Sequence, residues 1–408
     1  MTKEQALENK ARVQKEALDA VTSAGGSGVI EAATGVGKSK IGVEWIEYIR
    51  HMVLSQDGNE AKGLLVVPTE ELRDSGWPEE FTKWGISPEG IKRICYSSLA
   101  KENLDKYDFI LYDEYHRTTL PNLKKLIEYL KNPKVYALGL TATLPRKIVF
   151  EEDGERIHHL RTVLPIVYTL SIDEAVELGL VADFEITVLK YYLDEVNKNI
   201  AGGTVKAPFN QTEAARYKYL TRNLQLASMA AKNNPAKQGF KFSAISKRTN
   251  FLYNLPSKLM LAKRCLEQLQ RDTSARTVVF AGSIEQANEL CGEDVYHSAS
   301  TREALDKFQN KQINLIGSVR CLNEGMNLTD PTQALVVQLD SVERSIVQRI
   351  GRLIRIRYEN LEFKAKIIIL VALKTADEKW YESATAEFET KRIKEYLVPL
   401  NPPVKNGA

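Results

Sequence analysis

A short β-branched run, Gly28–Ala33, passes into the loop AATGVGKS, Ala32 to Ser39. The loop in turn opens a segment whose apolar residues Ile41, Trp45, Ile49 and Met52 recur at helical spacing. A buried strand that ends in glycines and starts a helix aims backbone N–H groups and the positive end of a helix dipole at an anion. The helix must then cross back over the sheet before the next strand can pair, which forces a parallel α/β arrangement. The same grammar continues in Gly63–Val67, Ile91–Tyr96, Tyr107–Tyr112 and Val135–Leu140. It returns in Thr277–Ala281, Asp294–His297, Ile313–Val319, Ala334–Leu339 and Lys366–Leu373, with helices such as Ile284–Cys291 and Arg302–Lys311 between strands. Two such runs in 408 residues predict an α/β chain of two tandem doubly wound parallel-sheet domains, over residues 1–170 and 171–408.

Composition narrows the class. A hydrophobic content of 43% supports real cores. Cysteines 95, 265, 291 and 321 form no CxxC pair, which argues against a zinc site, an iron–sulfur cluster or a disulfide framework and fits a reducing compartment. The charged start MTKEQALENK is unlike a signal peptide, and the longest apolar run, Ile367 to Leu373, is too short to span a bilayer. The expectation is a soluble protein of a host or bacterial cytosol. A formal net charge of +3 hides a strong local asymmetry. The stretch Val196–Lys258 carries eleven Lys/Arg and one acid, Glu213, interleaved with seven aromatic rings, so the rest of the chain is acidic. A basic, mainly helical insert in the second domain is expected there, with Lys247 and Arg248 as candidate phosphate contacts and rings for base stacking. A solvated helical insert whose rings form its own core is the competing expectation. After the last strand, Asp377–Tyr396 reads as an amphipathic helix.

Several constellations carry chemistry. Thr34, Gly35, Val36, Gly37, Lys38 and Ser39 form the phosphate loop, with Lys38 set to reach β- and γ-phosphates and Ser39 to ligate magnesium. Asp113-Glu114-Tyr115-His116 follows a buried strand. Asp113 fits a second magnesium ligand, Glu114 a base for the attacking water, and His116 a link to the far domain. Thr141 and Thr143, after the next strand, carry hydroxyls that could couple the carboxylates to a bound strand. Far downstream, QRIGRLIR repeats arginine at 349, 352 and 355, and Gln348, Arg352 and Arg355 share one helix face. Arg352 and Arg355 could close on a γ-phosphate held by the first domain.

Together these segments resemble a superfamily 2 helicase of the DExH type. AATGVGKS is similar to motif I, VVPTEEL (Val66–Leu72) to motif Ia, DEYH to motif II and LTATLP (Leu140–Pro145) to motif III. VVFAGSIEQANEL (Val278–Leu290) is similar to motif IV, RCLNEGMNL (Arg320–Leu328) to motif V and QRIGRLIR to motif VI. The order and spacing match over roughly residues 10–375. The resemblance implies two RecA-like lobes, with ATP and Mg²⁺ bound between them. It gives hydrolysis to Lys38, Ser39, Asp113 and Glu114, finger roles to Arg352 and Arg355, and nucleotide sensing to Gln348. It also implies nucleotide contacts at Gly325 and Asn327, an adenine contact at Gln14, and nucleic-acid contacts at Pro68, Thr69 and a site near Ser97. Ala32 replaces the first glycine of motif I, and Asn327 stands where many members carry Asp. The pairing of TAT with DExH is similar to the DNA-directed branch, including compact phage-type, UvsW-like DNA helicases. The implied activity is ATP-driven movement on, or unwinding or branch migration of, single-stranded or branched DNA. An RNA helicase or remodeller with the same engine, and the motor subunit of a restriction-type complex, remain open.

Overall fold

The computed structural model describes residues 1–145, 154–204, 207–319, 328, 330–339, 351, 353–385 and 390–400. Two wholly parallel sheets organise the chain. The first contains β1 (Gly28–Ala32), β2 (Gly63–Val67), β3 (Ile91–Cys95), β4 (Phe109–Asp113), β5 (Tyr136–Thr141) and β6 (Ile166–Leu170). Its spatial order is β3-β2-β4-β5-β1-β6. β1 and β2 are buried along their whole length, as expected for strands covered by helices on both faces. Trp45, on the helix Lys38–Asp57, packs edge-on against Phe109 of β4, and its indole N–H donates to the Gly26 carbonyl.

The second sheet contains β7 (Asp183–Tyr191), β10 (Thr277–Phe280), β11 (Val295–His297), β12 (Leu315–Val319), β13 (Gln333–Val336), β14 (Lys364–Ala372) and β15 (Ile393–Leu397). Its order is β11-β12-β10-β13-β14-β7-β15. The two sheets are tandem RecA-like lobes. A two-stranded antiparallel hairpin, β8 (Ile200–Thr204) and β9 (Ala207–Gln211), follows β7. It leads into the helices Glu213–Asn233 and Gln238–Tyr253, which pack on each other as an arm before the helix Pro256–Leu269 rejoins the lobe. The basic insert is therefore mainly helical.

Two expectations need correction. Within the described residues the helix expected over Asp377–Tyr396 covers Ala376–Thr385, and residues 393–397 form strand β15, parallel to β7. An uncovered β7 edge would leave a row of unpaired N–H and C=O groups. β15 caps it, and charge pairs Lys394–Glu185 at 2.7 Å and Lys190–Glu395 at 2.6 Å set its place. Arg392 just before it bonds Asp173 and Asp183. Alternation in DFEITVLKY makes β7 itself half-buried on one face, a strand signal that the charged residues within it obscure.

The second correction concerns Lys258. Counted among the cations of the basic stretch, it is fully buried and pairs with Asp377 at 2.6 Å. Gln338 joins the pair by accepting from Lys258 and donating to the second Asp377 oxygen. Glu213, the one acid of the stretch, is also fully buried and accepts from the Ser257 backbone N–H and hydroxyl. These two residues of opposite charge anchor the arm's base rather than a solvent-facing surface. Removing one partner of a buried pair strands the other charge. Lys258→Ala is expected to lower stability by about 3–5 kcal/mol in urea unfolding, whereas Lys258→Met with Asp377→Leu should recover most of that loss.

Candidate nucleotide site and strand-facing surface

Strand register brings the chemistry together. β5 lies between β4 and β1, with Asp113 opposite Leu140 and Thr141 opposite Glu31. The carboxylate turn, the Thr141 turn and the phosphate loop thus leave adjacent parallel strands at their carboxyl ends, where α/β sheets bind ligands. Lys38 and Ser39 occupy the first turn of the helix Lys38–Asp57. The Lys38 ammonium donates to the carbonyls of Ala32 at 2.9 Å and Ala33 at 3.2 Å. Burial lowers its pKa, while Glu114 and Asp113 pull the other way.

Gln14, on the helix Lys3–Ser23, is buried, and its side-chain amide donates to the Val36 carbonyl at 2.9 Å. The loop residue beside it has to be glycine. Gly37 has φ +93°, and a Cβ there would lie 2.3 Å from Gln14 Nε2. The loop also meets the second lobe. A Cβ at Gly351 would stand 1.9 Å from Thr34 Oγ1, so at this position the second lobe approaches the loop through a residue without a side chain. The side chain of Val181 lies against Gly35, and Val181 forms a β-bridge with Arg355, whose side chain is exposed. Of the predicted second-lobe residues, Gln348, Arg352, Gly325 and Asn327 lie outside the described residues.

Asp113 ends β4, and Trp77 holds it by an indole N–H donated to Oδ2 at 3.0 Å. Burial raises the Asp113 pKa, and the Trp77 hydrogen bond and Lys38 oppose that rise. Glu114 has φ 54° and ψ 53°. For a residue with a Cβ, that left-handed conformation costs roughly 1–2 kcal/mol, and it is what turns the carboxylate off the strand axis. Its Oε2 lies 3.3 Å from His116 Nδ1. His116 is 4% exposed and shares a 2.8 Å hydrogen bond with the Thr141 hydroxyl, which itself accepts from the Thr143 N–H. Thr141 is fully buried and Thr143 nearly so, so the place of both is inside the relay behind the carboxylates. Glu31, one strand over, accepts from the Leu144 N–H at 2.8 Å and pins that turn.

The strand-facing candidates fall on the first lobe and on the arm. Thr69 caps the turn that begins at Leu72, and the Pro68 carbonyl accepts from Arg117. Ser97 is exposed on the short helix Tyr96–Leu99. Lys247 is exposed and Arg248 half-buried on the arm helix Gln238–Tyr253. Three site residues escaped the sequence reading. Trp77 and Glu31 were not singled out, and Tyr96 was read as the end of the strand Ile91–Tyr96. The one available signal was a polar atom on each in an otherwise apolar context.

A loop built for phosphates, a carboxylate pair beside it and a second lobe touching the loop define a two-lobed P-loop nucleotide hydrolase. Residues 257–357 match the helicase conserved C-terminal domain, and residues 91–146 match the type III restriction enzyme res subunit. The chain is similar to the DNA 3'-5' translocase XPB2 of Sulfurisphaera tokodaii, with 26% identity over 86% of this chain and 79% of that protein. It is 25% identical to a protein named helicase 22 of Sulfolobus islandicus filamentous virus, over 81% of this chain but only 58% of that one. In fold it is similar to an HsdR subunit fragment of a type I restriction enzyme from Vibrio vulnificus, with TM-score 0.57, 15% identity, and coverage of 95% of this chain and 68% of that one. These matches support a helicase of superfamily 2.

No described helix is long and apolar enough to cross a membrane. Gly37→Ala is expected to abolish nucleotide binding in a fluorescent-nucleotide titration while leaving the circular dichroism spectrum unchanged. Adding Gln14→Ala relieves the clash but not the positive φ, so affinity should return only in part.

Proposed function

We propose that this chain is an ATP-driven DNA translocase of helicase type, acting on single-stranded or branched DNA, with branch migration as its characteristic reaction. The observation that carries the reading is the convergence of the phosphate loop, the Asp113–Glu114 turn and Gly351 of the second lobe at one cleft. The lobes divide at residue 170. The donors there suit a nucleotide triphosphate with magnesium: a glycine cradle at a helix start, a buried ammonium, and one hydroxyl and one carboxylate for the ion. Ser39 and Asp113 would hold Mg²⁺, which when bound offsets phosphate charge.

Lys38 would exchange the Ala32 and Ala33 carbonyls for phosphate oxygens. Glu114 accepts a proton as the oxygen of water bonds to the γ-phosphorus and the bond to the β–γ bridging oxygen breaks, with ADP leaving. His116 and Thr141 keep that carboxylate oriented. Arg352 and Arg355 would complete charge compensation on closure, an effect worth roughly 10³–10⁵ in rate in phosphoryl transfer. Gln348, Gly325 and Asn327 would read the nucleotide from the second lobe, and Gln14 would couple adenine to the loop.

The DNA reading draws on the similarity to a DNA translocase and on the charge of the arm. Pro68, Thr69 and Ser97 would touch the backbone of one strand, and Lys247 and Arg248 would extend the track onto the arm. A motor subunit of a restriction-type assembly is a second reading, favoured by the res-subunit match over residues 91–146.

Steady-state ATPase at one fixed salt, with no nucleic acid, single-stranded DNA, single-stranded RNA or a four-way DNA junction, tests the reading. Stimulation should be greatest on the junction. Stimulation by RNA alone would overturn the DNA assignment, and none at all would favour the subunit reading. Glu114→Gln should cut kcat by about 10²–10⁴ with ATP binding retained, and Lys38→Ala should also lose affinity. Charge reversal at both Lys247 and Arg248 should weaken DNA binding and reduce the slope of log affinity against log salt by about 2; an unchanged slope would return the arm to a purely structural role.

A further inference from the structure

Two aromatic side chains that belong to no recognised motif end on the carboxylate turn. Tyr96 opens the short helix that carries Ser97, and its hydroxyl donates to the Asp113 carbonyl at 2.9 Å while lying 3.1 Å from the Glu114 carbonyl. A phenol has one proton, so the two carbonyls share it. From another side, the Trp77 indole N–H reaches the Asp113 carboxylate at 3.0 Å. Trp77 starts the helix Trp77–Trp84, which continues from the turn Leu72–Gly76 capped by Thr69. The helix that carries Ser97 and the helix that follows the Thr69 turn therefore each hold a rigid ring whose polar atom ends on Asp113 or on the Glu114 backbone.

That peptide is sensitive to such a hold. Glu114 is one of four described non-glycine residues with positive φ. A left-handed residue with a side chain persists only where its surroundings impose the conformation. The Glu114 carbonyl also accepts from the Arg117 N–H at 2.9 Å, so the Tyr96 hydroxyl and the 3-10 turn Tyr115–Arg117 grip the same oxygen. A small shift of the Tyr96–Leu99 helix would move the proton toward one carbonyl and rotate the Asp113–Glu114 peptide, and with it the carboxylate. Burial raises the Tyr96 pKa well above its ordinary value, so the hydroxyl remains a donor.

We propose that Tyr96 and Trp77 are positioning residues that transmit strand binding at Thr69 and Ser97 to the alignment of Glu114 and Asp113, so that hydrolysis is fast only when the strand-facing surface is occupied. This rests on the ATPase reading of the site. Neither residue touches the reacting atoms; each acts through a carboxylate or its backbone.

Tyr96→Phe keeps the ring and removes the shared proton. The expected result is a ratio of DNA-stimulated to unstimulated kcat at least fivefold below that of the unsubstituted protein, with single-stranded DNA affinity by fluorescence anisotropy within twofold. Trp77→Phe should raise several-fold the Mg²⁺ concentration that gives half-maximal rate. Stimulated and unstimulated rates falling in the same proportion, or an unchanged ratio, would overturn the proposal. Hydrogen–deuterium exchange at the amides of residues 114–117, with and without single-stranded DNA, decides the matter without turnover. The unsubstituted protein should respond to DNA and Tyr96→Phe should not. An equal response in both, or none in the unsubstituted protein, refutes the coupling. Absence of ATPase activity in the unsubstituted protein with every nucleic acid would instead refute the hydrolase reading and leave the exchange comparison to judge the coupling.

Discussion

The pairing of β4, β5 and β1 in parallel is the constraint from which the first lobe's chemistry follows. Parallel strands send their carboxyl ends to one edge of the sheet, so the phosphate loop, the Thr141 turn and the Asp113–Glu114 turn emerge side by side although they come from distant parts of the chain. The pairing also explains why polar groups at this edge bond to one another rather than to water. Glu31 of β1 holds the turn after β5, and Thr141 of β5 holds His116 after β4. Each strand's end is braced by its neighbour, which is how a residue as unfavourably placed as Glu114 keeps a single conformation.

Close backbone approach is the second governing fact. The loop meets Gln14 at Gly37 and the second lobe at Gly351. In both places a methyl group would occupy space already filled. Thr34, whose buried hydroxyl makes no hydrogen bond within the described structure, is the residue that faces Gly351. The lobes also meet through an exposed ion pair, Arg302 with Glu71 at 3.8 Å, and such surface pairs contribute little. That suits a cleft that must open and close around a nucleotide.

How much of this was legible in the sequence depends on the kind of information involved. Most strands of both sheets were readable because a buried parallel strand is a short β-branched run, and Ile284–Cys291 was read with its true ends, but β6 and β7, which are only partly buried, were missed. The placement of Lys38, Asp113 and Glu114 at or just past strand ends was readable because each follows a short apolar strand run. Trp77 and Tyr96 were not, since nothing local separates an aromatic that packs from one that also donates to a residue 36 or 17 positions away. β15 was misread because its neighbour β7, roughly 200 residues earlier, supplies the reason for it to be a strand; taken alone, IKEYL continues a charged helical pattern.

Lys258 shows the same lesson acting on charge. Composition counts every cation as surface, yet this one lies in the lobe's interior with Asp377 and Gln338, and Glu213 is buried beside Ser257. The arm helices themselves bury little: Glu213, Leu220 and Ala231 on one, Leu252 and Tyr253 on the other. Leu226, Met229, Phe240 and Phe242 are each more than half exposed. An arm fixed firmly at its base and held loosely along its length keeps its orientation relative to the lobe while its outer part adapts, because local opening is cheap where few contacts are buried. The buried ion pair ties the helix that follows the arm to Asp377 in the lobe's interior, in a place where a packed apolar pair would stabilise as well.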